Sequence, residues 1–188
     1  MLYRIIKRAF DIVSSCLALV AFSPVFLVAA IGILVSDPGP VIYLANRVGK
    51  DNEIFRMYKF RSMRVDRNAN EKSLRPDQDR IFPFGRFIRR TKIDELPQLL
   101  NVIFNDMSLV GPRPAKPDEV RDYTPDQRKC LNIKPGITGS WQVSGRSDTT
   151  FAEKVHLDKD YIQSWSIKND LVILLKTIPA VLTGKGAY

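Results

Sequence analysis

Residues 12–35, IVSSCLALVAFSPVFLVAAIGILV, carry no charge through 24 consecutive positions. As a straight helix this run would be about 36 Å long, against a hydrocarbon core of about 30 Å. It is too long for a cleavable signal peptide and lacks the small-residue cleavage pattern. A single transmembrane anchor is the plain reading, and two features oppose it. Pro24, preceded by Ser23, stands at mid-run. There it removes a helix hydrogen bond and invites a kink, and a serine hydroxyl can satisfy the carbonyl that such a break frees. The flanks are basic on both sides, with Arg4, Lys7 and Arg8 before the run and Arg47 and Lys50 after it. A crossing helix usually biases its cations to one side. A helix that enters, bends at Ser23-Pro24 and leaves by the same face would keep every cation on that face. From the residues alone, spanning and re-entrant stand level.

Outward from this run, Asp37-Pro38-Gly39-Pro40 ends the helix with residues that stop helices and form turns. Residues 41–44 and 54–60 read as short strands about a turn at Gly49-Lys50-Asp51-Asn52. Residues 66–80 are polar and read as a surface loop, a solvated linker in preference to a lid. Residues 84–92 interleave Phe84, Phe87 and Ile88 with Arg86, Arg89, Arg90 and Lys92. That pattern suits a short amphipathic helix in a headgroup region, its cations snorkelling outward. A further helix is expected from Asp94 or Glu95 to about Asn105, where Leu96, Leu99, Leu100, Ile103 and Phe104 have helical spacing. Residues 171–182 form another apolar helix, interrupted by Pro179 and too short to cross.

The 188 residues suffice for one domain with a real core, and 45% hydrophobic with 26% charged residues excludes a disordered chain. Lys and Arg outnumber Asp and Glu by 29 to 20, which favours phosphate-bearing partners: nucleic acid, anionic lipid or phosphorylated small molecules. The uncharged run opposes a soluble nucleic-acid binder, and no standard nucleic-acid motif occurs. Cys16 lies in the apolar run and Cys130 in a polar region, so a disulfide is not expected and a reducing compartment is. The one histidine, His156, leaves little for a zinc site or a Ser-His-Asp triad. Neither a Walker-type loop nor G-x-G-x-x-G occurs.

Asp94-Glu95 is the most suggestive acidic pair, with Pro97 close behind. At a helix mouth such carboxylates meet free N–H groups and can hold Mg²⁺ beside phosphate co-ligands. Taken alone, the pair reads as ordinary helix capping. Its surroundings change that. Arg89 precedes it, Gly111-Pro112-Arg113-Pro114 presents a guanidinium on a stiff turn, and Gly145-Arg146 follows Gly136 and Gly139. Arginine matches phosphate oxygens bidentately. Cations and a carboxylate pair beside a membrane element suit phosphoryl transfer near lipid.

Four runs then stand out: Lys59-Phe60-Arg61-Ser62-Met63, Asp94-Glu95-Leu96-Pro97-Gln98-Leu99, Asp106-Met107-Ser108-Leu109-Val110-Gly111-Pro112-Arg113-Pro114 and Pro135-Gly136-Ile137-Thr138-Gly139. In order and spacing they strongly resemble the bacterial sugar transferases, the small monotopic phosphoglycosyl transferases. The likeness runs from Lys7-Arg8 through Trp141-Gln142-Val143-Ser144-Gly145-Arg146 to Gly186-Ala187-Tyr188. It departs at Ala45, where the family often has Gln, and at Phe82, a place frequently polar in relatives.

The resemblance implies a mainly α fold with a small β element (α+β) in one domain, 1–188. Residues 1–36 would be a re-entrant membrane helix broken at Ser23 and Pro24, and 37–188 the cytoplasmic catalytic part, on the cytoplasmic face of the bacterial inner membrane. It implies transfer of a sugar-1-phosphate from a UDP-sugar to undecaprenyl (polyprenyl) phosphate, releasing UMP through a phosphosugar on Asp94. Glu95 would complete the dyad. Asp94 would hold Mg²⁺ in part, Arg89, Arg113 and Arg146 would face substrate phosphates, and Lys59 would be a structural or phosphate-facing cation. Arg113 would instead pin the Gly-Pro-Arg-Pro turn on an equally weighted reading. The lipid bilayer and downstream glycosyltransferases are the further partners expected, with nucleic acid excluded and a homodimer left open. Without the extra membrane helices and appended domain of larger relatives, a minimal catalytic unit is expected. A non-catalytic scaffold for glycan assembly is the alternative. The wording 141–147 resembles members that use glucose or galactose, and the sugar is otherwise open.

Overall fold

A computed structural model describes residues 2–65, 80–144 and 150–182. The uncharged run forms two helices, α1 (Leu2–Ala21) and α2 (Ser23–Ser36), bent by 60°. The break has a local cause. Pro24 lies in the first turn of α2, where its missing N–H costs nothing, and Phe22 leaves the helical region at φ −91°, ψ 5°. Ser23 Oγ donates to the Val20 carbonyl at 2.8 Å, satisfying a group the break exposes. Among the described residues no single helix is long and apolar enough to cross a membrane; the bent pair together is, by length and composition. Apolar side chains face outward along both arms, Val20 and Val35 at 74% and 79% exposure among them. An apolar belt of that extent marks a surface made for apolar surroundings.

The first turns of α1 are anchored differently, by charge. Asp11 accepts from Ser108 Oγ at 2.7 Å, Lys7 pairs with Asp170 at 2.7 Å, and Arg8 donates to the Val102 and Ile103 carbonyls at 2.6 and 3.0 Å. The polar N-terminal part of α1 is therefore bound into the rest of the chain, while its apolar part projects.

A hairpin follows, β1 (Ile42–Val48) antiparallel to β2 (Ile54–Phe60), with Ile42 opposite Phe60 and Val48 opposite Ile54. The turn falls at Lys50–Asn52, with Asp51 and Asn52 in the left-handed region. The strand expected over 41–44 continues to Val48, because Asn46 is left on an exposed edge face where a polar side chain costs nothing. Arg61, just beyond β2, is buried. Its guanidinium binds the Asp37 carboxylate and carbonyl and the Pro40 carbonyl, fastening the end of α2 to the hairpin.

Helix α3 (Pro83–Arg90) packs on α2. A Cβ on Gly32 would lie 2.4 Å from the Phe84 ring, so this close approach needs the glycine. Ile88 joins Ala29, Ile33, Phe60 and Phe82 in one core cluster, while Phe87 is exposed. The expected helix from Asp94 or Glu95 to about Asn105 is corrected. Ile93–Glu95 is a separate 3₁₀ turn, and α4 runs only from Gln98 to Ile103. Pro97 has no N–H to reach back four residues, so the chain closes by three-residue steps instead, Glu95 N to Lys92 O and Leu96 N to Ile93 O, both 3.1 Å. Asn105 at φ 75° ends α4.

Two short parallel strands, β3 (Ser108–Val110) and β4 (Gly136–Thr138), bring the Gly-Pro-Arg-Pro turn beside the Pro-Gly-Ile-Thr-Gly run. A Cβ on Gly136 would sit 2.1 Å from the Gly111 nitrogen, so these glycines serve backbone contact. Between the strands lie α5 (Pro117–Arg121) and a 3₁₀ segment, Gln127–Asn132. Then come α6 (Ser140–Ser144), α7 (Phe151–Gln163) and α8 (Ile167–Leu182), which continues past Pro179. The fold is mostly helical with a small sheet component, as expected. Cys16 and Cys130 are both free thiols.

Candidate active site

Asp94 and Glu95 share one tight turn, yet their surroundings differ. Lys92 enters the turn in the left-handed conformation, φ 61°, reversing the chain after α3. Asp94 is 8% exposed, and its Oδ1 is buried without a hydrogen-bond partner among the described residues. Glu95 accepts from Lys59 Nζ at 2.9 Å. Lys59 comes from β2, which Asn101 of α4 locks in register: it accepts from Tyr58 N at 2.9 Å and donates to Arg56 O at 2.8 Å. Glu95 thereby has a fixed rotamer and Asp94 a buried, uncommitted oxygen.

Burial pushes the Asp94 carboxyl up to about 6, and the neighbouring Glu95 charge pushes the same way, against Lys59, Lys92 and Arg89. Burial acts on Glu95 too, but Lys59, Lys92 and Arg113 outweigh it and hold that carboxyl below its ordinary value. Two adjacent acids are thus pushed in opposite directions in pKa, the Lys59 hydrogen bond going to the second alone. This separation is how a site keeps two carboxylates in distinct roles.

A cavity of about 700 Å³ opens beside the pair. Lys92, Glu95, Arg113, Trp141, Gln142 and Lys154 supply its polar side, and Phe22, Val25, Leu96, Leu99 and Val181 an apolar one. Arg113 and Lys154 each stand over the Trp141 ring, at 5.6 and 5.0 Å. Indole faces hold cations without neutralising them, so both remain able to receive an anion. A smaller pocket of about 20 Å³ joins Arg47, Lys59, Glu95 and Arg113. Burial and the Arg113 charge hold the Arg47 guanidinium below its ordinary value.

Of the residues singled out in the sequence, Asp94, Glu95, Lys59, Arg89 and Arg113 are brought together here, while Arg146 lies outside the described residues, as do 66–79. Lys59 is paired to Glu95 rather than left open to solvent. Arg113 is exposed and braced on Trp141, which makes it more than a pin for its own turn. Sequence reasoning missed Lys154, Gln142 and the roles of Lys92, Arg47 and Trp141. Lys92 had been grouped with the amphipathic helix and Arg47 with the membrane flank. Their charge was legible; their convergence was not.

The arrangement is a buried carboxylate, Asp94, with an unpartnered oxygen among the described residues, set among cations and next in sequence to Glu95, which lines a cavity whose apolar side includes Phe22 and Val25 at the α1–α2 break. Residues 2–184 match the family described as bacterial sugar transferase. The chain belongs to the bacterial sugar transferase family. It is 46% identical to the galactosyl transferase CpsE of Streptococcus agalactiae, over 97% of this chain and 43% of the relative. It is 43% identical to the undecaprenyl-phosphate galactose phosphotransferase of Salmonella typhimurium, over 98% of this chain and 42% of the relative. With the exopolysaccharide production protein ExoY of Sinorhizobium fredii it shares 41% identity, over 97% of this chain and 88% of the relative. The chain spans less than half the length of the first two.

Proposed function

We propose that this protein is a membrane phosphoglycosyl transferase that moves a sugar-1-phosphate from a UDP-sugar to undecaprenyl phosphate, releasing UMP. The observation that carries this reading is the buried Asp94 oxygen, unpartnered among the described residues, beside a cavity-lining Glu95 held by Lys59. The family and the activities for which its relatives are named support the substrate class. In the first step an Asp94 oxygen attacks the phosphorus next to the sugar, the bond to UMP breaks, and a phosphosugar remains on the carboxylate. In the second the phosphate oxygen of undecaprenyl phosphate attacks that phosphorus, the acyl phosphate bond breaks, and Asp94 returns as carboxylate. One hard displacement between anions becomes two assisted ones. Lys92, Arg113 and Lys154 would bind and orient phosphate oxygens, and the apolar wall would receive the lipid chain.

Among the described residues no cluster of three or more His, Cys, Asp or Glu exists. Among the described residues the dyad is the acidic pair at this cavity, and Asp94 Oδ1 would be a protein donor to an Mg²⁺ that keeps water and diphosphate oxygens as other ligands. Bound there, Mg²⁺ would offset diphosphate charge. The bent pair α1–α2 supports a re-entrant insertion, residues 1–36 in the membrane and 37–188 on the cytoplasmic face of the bacterial inner membrane as one catalytic domain. The product would feed downstream glycosyltransferases of surface polysaccharide assembly.

UMP release from purified protein in detergent or nanodiscs, across a panel of UDP-sugars with and without undecaprenyl phosphate and Mg²⁺, tests this reading. Release that depends on Mg²⁺ and on one sugar is expected. Folded protein that releases UMP from none of them overturns it.

A further inference from the structure

A second cavity, of about 250 Å³, shares no lining residue with those at the dyad. It brings together three distant parts of the chain: Arg4 and Arg8 from α1, Lys50 from the hairpin turn, and Lys134 from the segment before β4. Lys7 also lines it but is already neutralised, 2.7 Å from Asp170 and 3.6 Å from Asp11. The other four are less fully balanced. Arg8 spends two N–H groups on the last carbonyls of α4, leaving the rest of its donor fork. Lys134 donates to the neutral amide oxygen of Asn105. Lys50 pairs with Asp51 on an exposed edge, and Arg4 stands 6.0 Å over the Trp165 ring. The Trp165 indole N–H is itself buried with no acceptor among the described residues.

Cations gathered this closely repel one another. Burial, then the Arg8 charge, and further off that of Lys50, hold the Lys134 ammonium below its ordinary value, against Asp11 and Asp106. Asp11 also lines the cavity, but its carboxylate is taken up by Ser108 and Lys7, so the remaining cations outnumber the acidic groups there and favour a bound anion. The cavity is smaller than the roughly 300–1,000 Å³ of drug-sized sites, too small for a nucleotide-sugar and suited to a single phosphate group. Ile5 and Ile6, exposed at 59% and 45%, lie beside Arg4 and Arg8 on α1, where a lipid chain would run.

We propose that this cavity is a second anion site, distinct from the dyad, which takes a phosphate group carried by a phospholipid headgroup or free in solution. The lipid source rests on the membrane reading above; the phosphate chemistry does not. A phosphate bound there ties α1, the hairpin turn and the approach to β4 together, fixing the helix on the catalytic part.

The chain holds two tryptophans, one at each site: Trp141 at the dyad cavity and Trp165 here. Protein carrying 5-fluorotryptophan, purified in maltoside micelles free of phosphate, gives one ¹⁹F resonance for each, assigned with Trp165→Phe. Inorganic phosphate is titrated in one arm and short-chain phosphatidylglycerol in the other. A saturable shift of the Trp165 resonance is expected, weakened about tenfold in Lys50→Gln/Lys134→Gln. The Trp141 resonance and UMP release stay unchanged in that variant, which separates this test from the fate of the dyad reading. A shift with phosphatidylglycerol alone assigns the lipid headgroup, and one with inorganic phosphate assigns the free ion. No shift in either arm, or a shift that the double variant leaves intact, overturns the proposal.

Discussion

Lys59 Nζ lies 2.9 Å from Glu95 Oε1, while Asp94 next to it keeps a buried oxygen with no partner among the described residues. The two carboxylates are neighbours in sequence, yet a single cation separates their roles. Glu95 is fixed and ionised by that contact. Asp94 keeps its buried oxygen uncommitted, one residue from the cavity wall that Glu95 lines.

Lys59→Met should therefore lower turnover about 10–100-fold by releasing Glu95, with the larger effect on kcat. Lys59→Arg should recover part of the loss, since it keeps a charge in reach. Steady-state kinetics of both variants check this. An unchanged kcat in folded Lys59→Met would show that the pair is merely structural.

Asp94→Asn should abolish turnover and any phosphosugar adduct, and Glu95→Gln should retain a small residual rate at most. Intact mass spectrometry after mixing with UDP-sugar reads the adduct, and UMP release reads turnover. Full activity in Asp94→Asn would sink the covalent step.

Asp158 of α7 is buried, its Oδ1 has no partner among the described residues, and burial pushes its carboxyl up to about 7. A raised carboxylate pKa means the folded state holds the proton more tightly than the unfolded chain. The folded protein is thus favoured below about pH 4, and that advantage is lost as pH rises toward 7. Asp158→Asn should raise the melting midpoint at pH 8 and leave it nearly unchanged at pH 4. The gain is about 4 kcal/mol at most. Equal midpoint changes at both pH values would contradict the assignment.

Lys7 and Asp170 form a buried pair at 2.7 Å, and Tyr161 also donates to Asp170 at 2.7 Å. Lys7→Met strands a buried carboxylate and should cost about 3–5 kcal/mol in denaturant unfolding. Lys7→Met/Asp170→Asn should cost less than the single change, because the Asp170 charge is no longer stranded and only the longer Lys7–Asp11 contact at 3.6 Å is lost. A double variant weaker than either single one would refute the coupling.

The re-entrant reading predicts that reporters at positions 1 and 188 are labelled from the same membrane face. Pro24→Ala, which supplies the N–H that a continuous helix through the break would need, should move a fraction of molecules to opposite faces. Opposite-face labelling of the unaltered chain would rule the reading out.

Several features were legible because they are encoded by neighbours along the chain. Ser23-Pro24 breaks the apolar run, and the structure bends it there by 60°. The turn residues Lys50–Asn52 place a hairpin, and Asp94-Glu95 with its nearby cations marks the site. The helix start was misread because apolar spacing through Leu96, Leu99 and Leu100 says nothing about the hydrogen bond that Pro97 cannot make. Strand β1 was cut short for a similar reason: Asn46 and Arg47 look unlike a strand until one face is known to be exposed.

The sequence by itself determined the apolar helix pair, its break, the acidic pair and the excess of positive charge. Each depends on residue type and on separations of a few positions, where backbone geometry leaves little choice. Only the tertiary structure decided that Lys59 reaches Glu95 and not Asp94, that Arg113 and Lys154 share Trp141, and that Arg4, Arg8, Lys50 and Lys134 enclose one cavity. Those contacts join residues tens or more positions apart. They follow from strand register, from the Asn101 lock on β2 and from the glycine-tight pairing of β3 with β4, none of which a local pattern specifies.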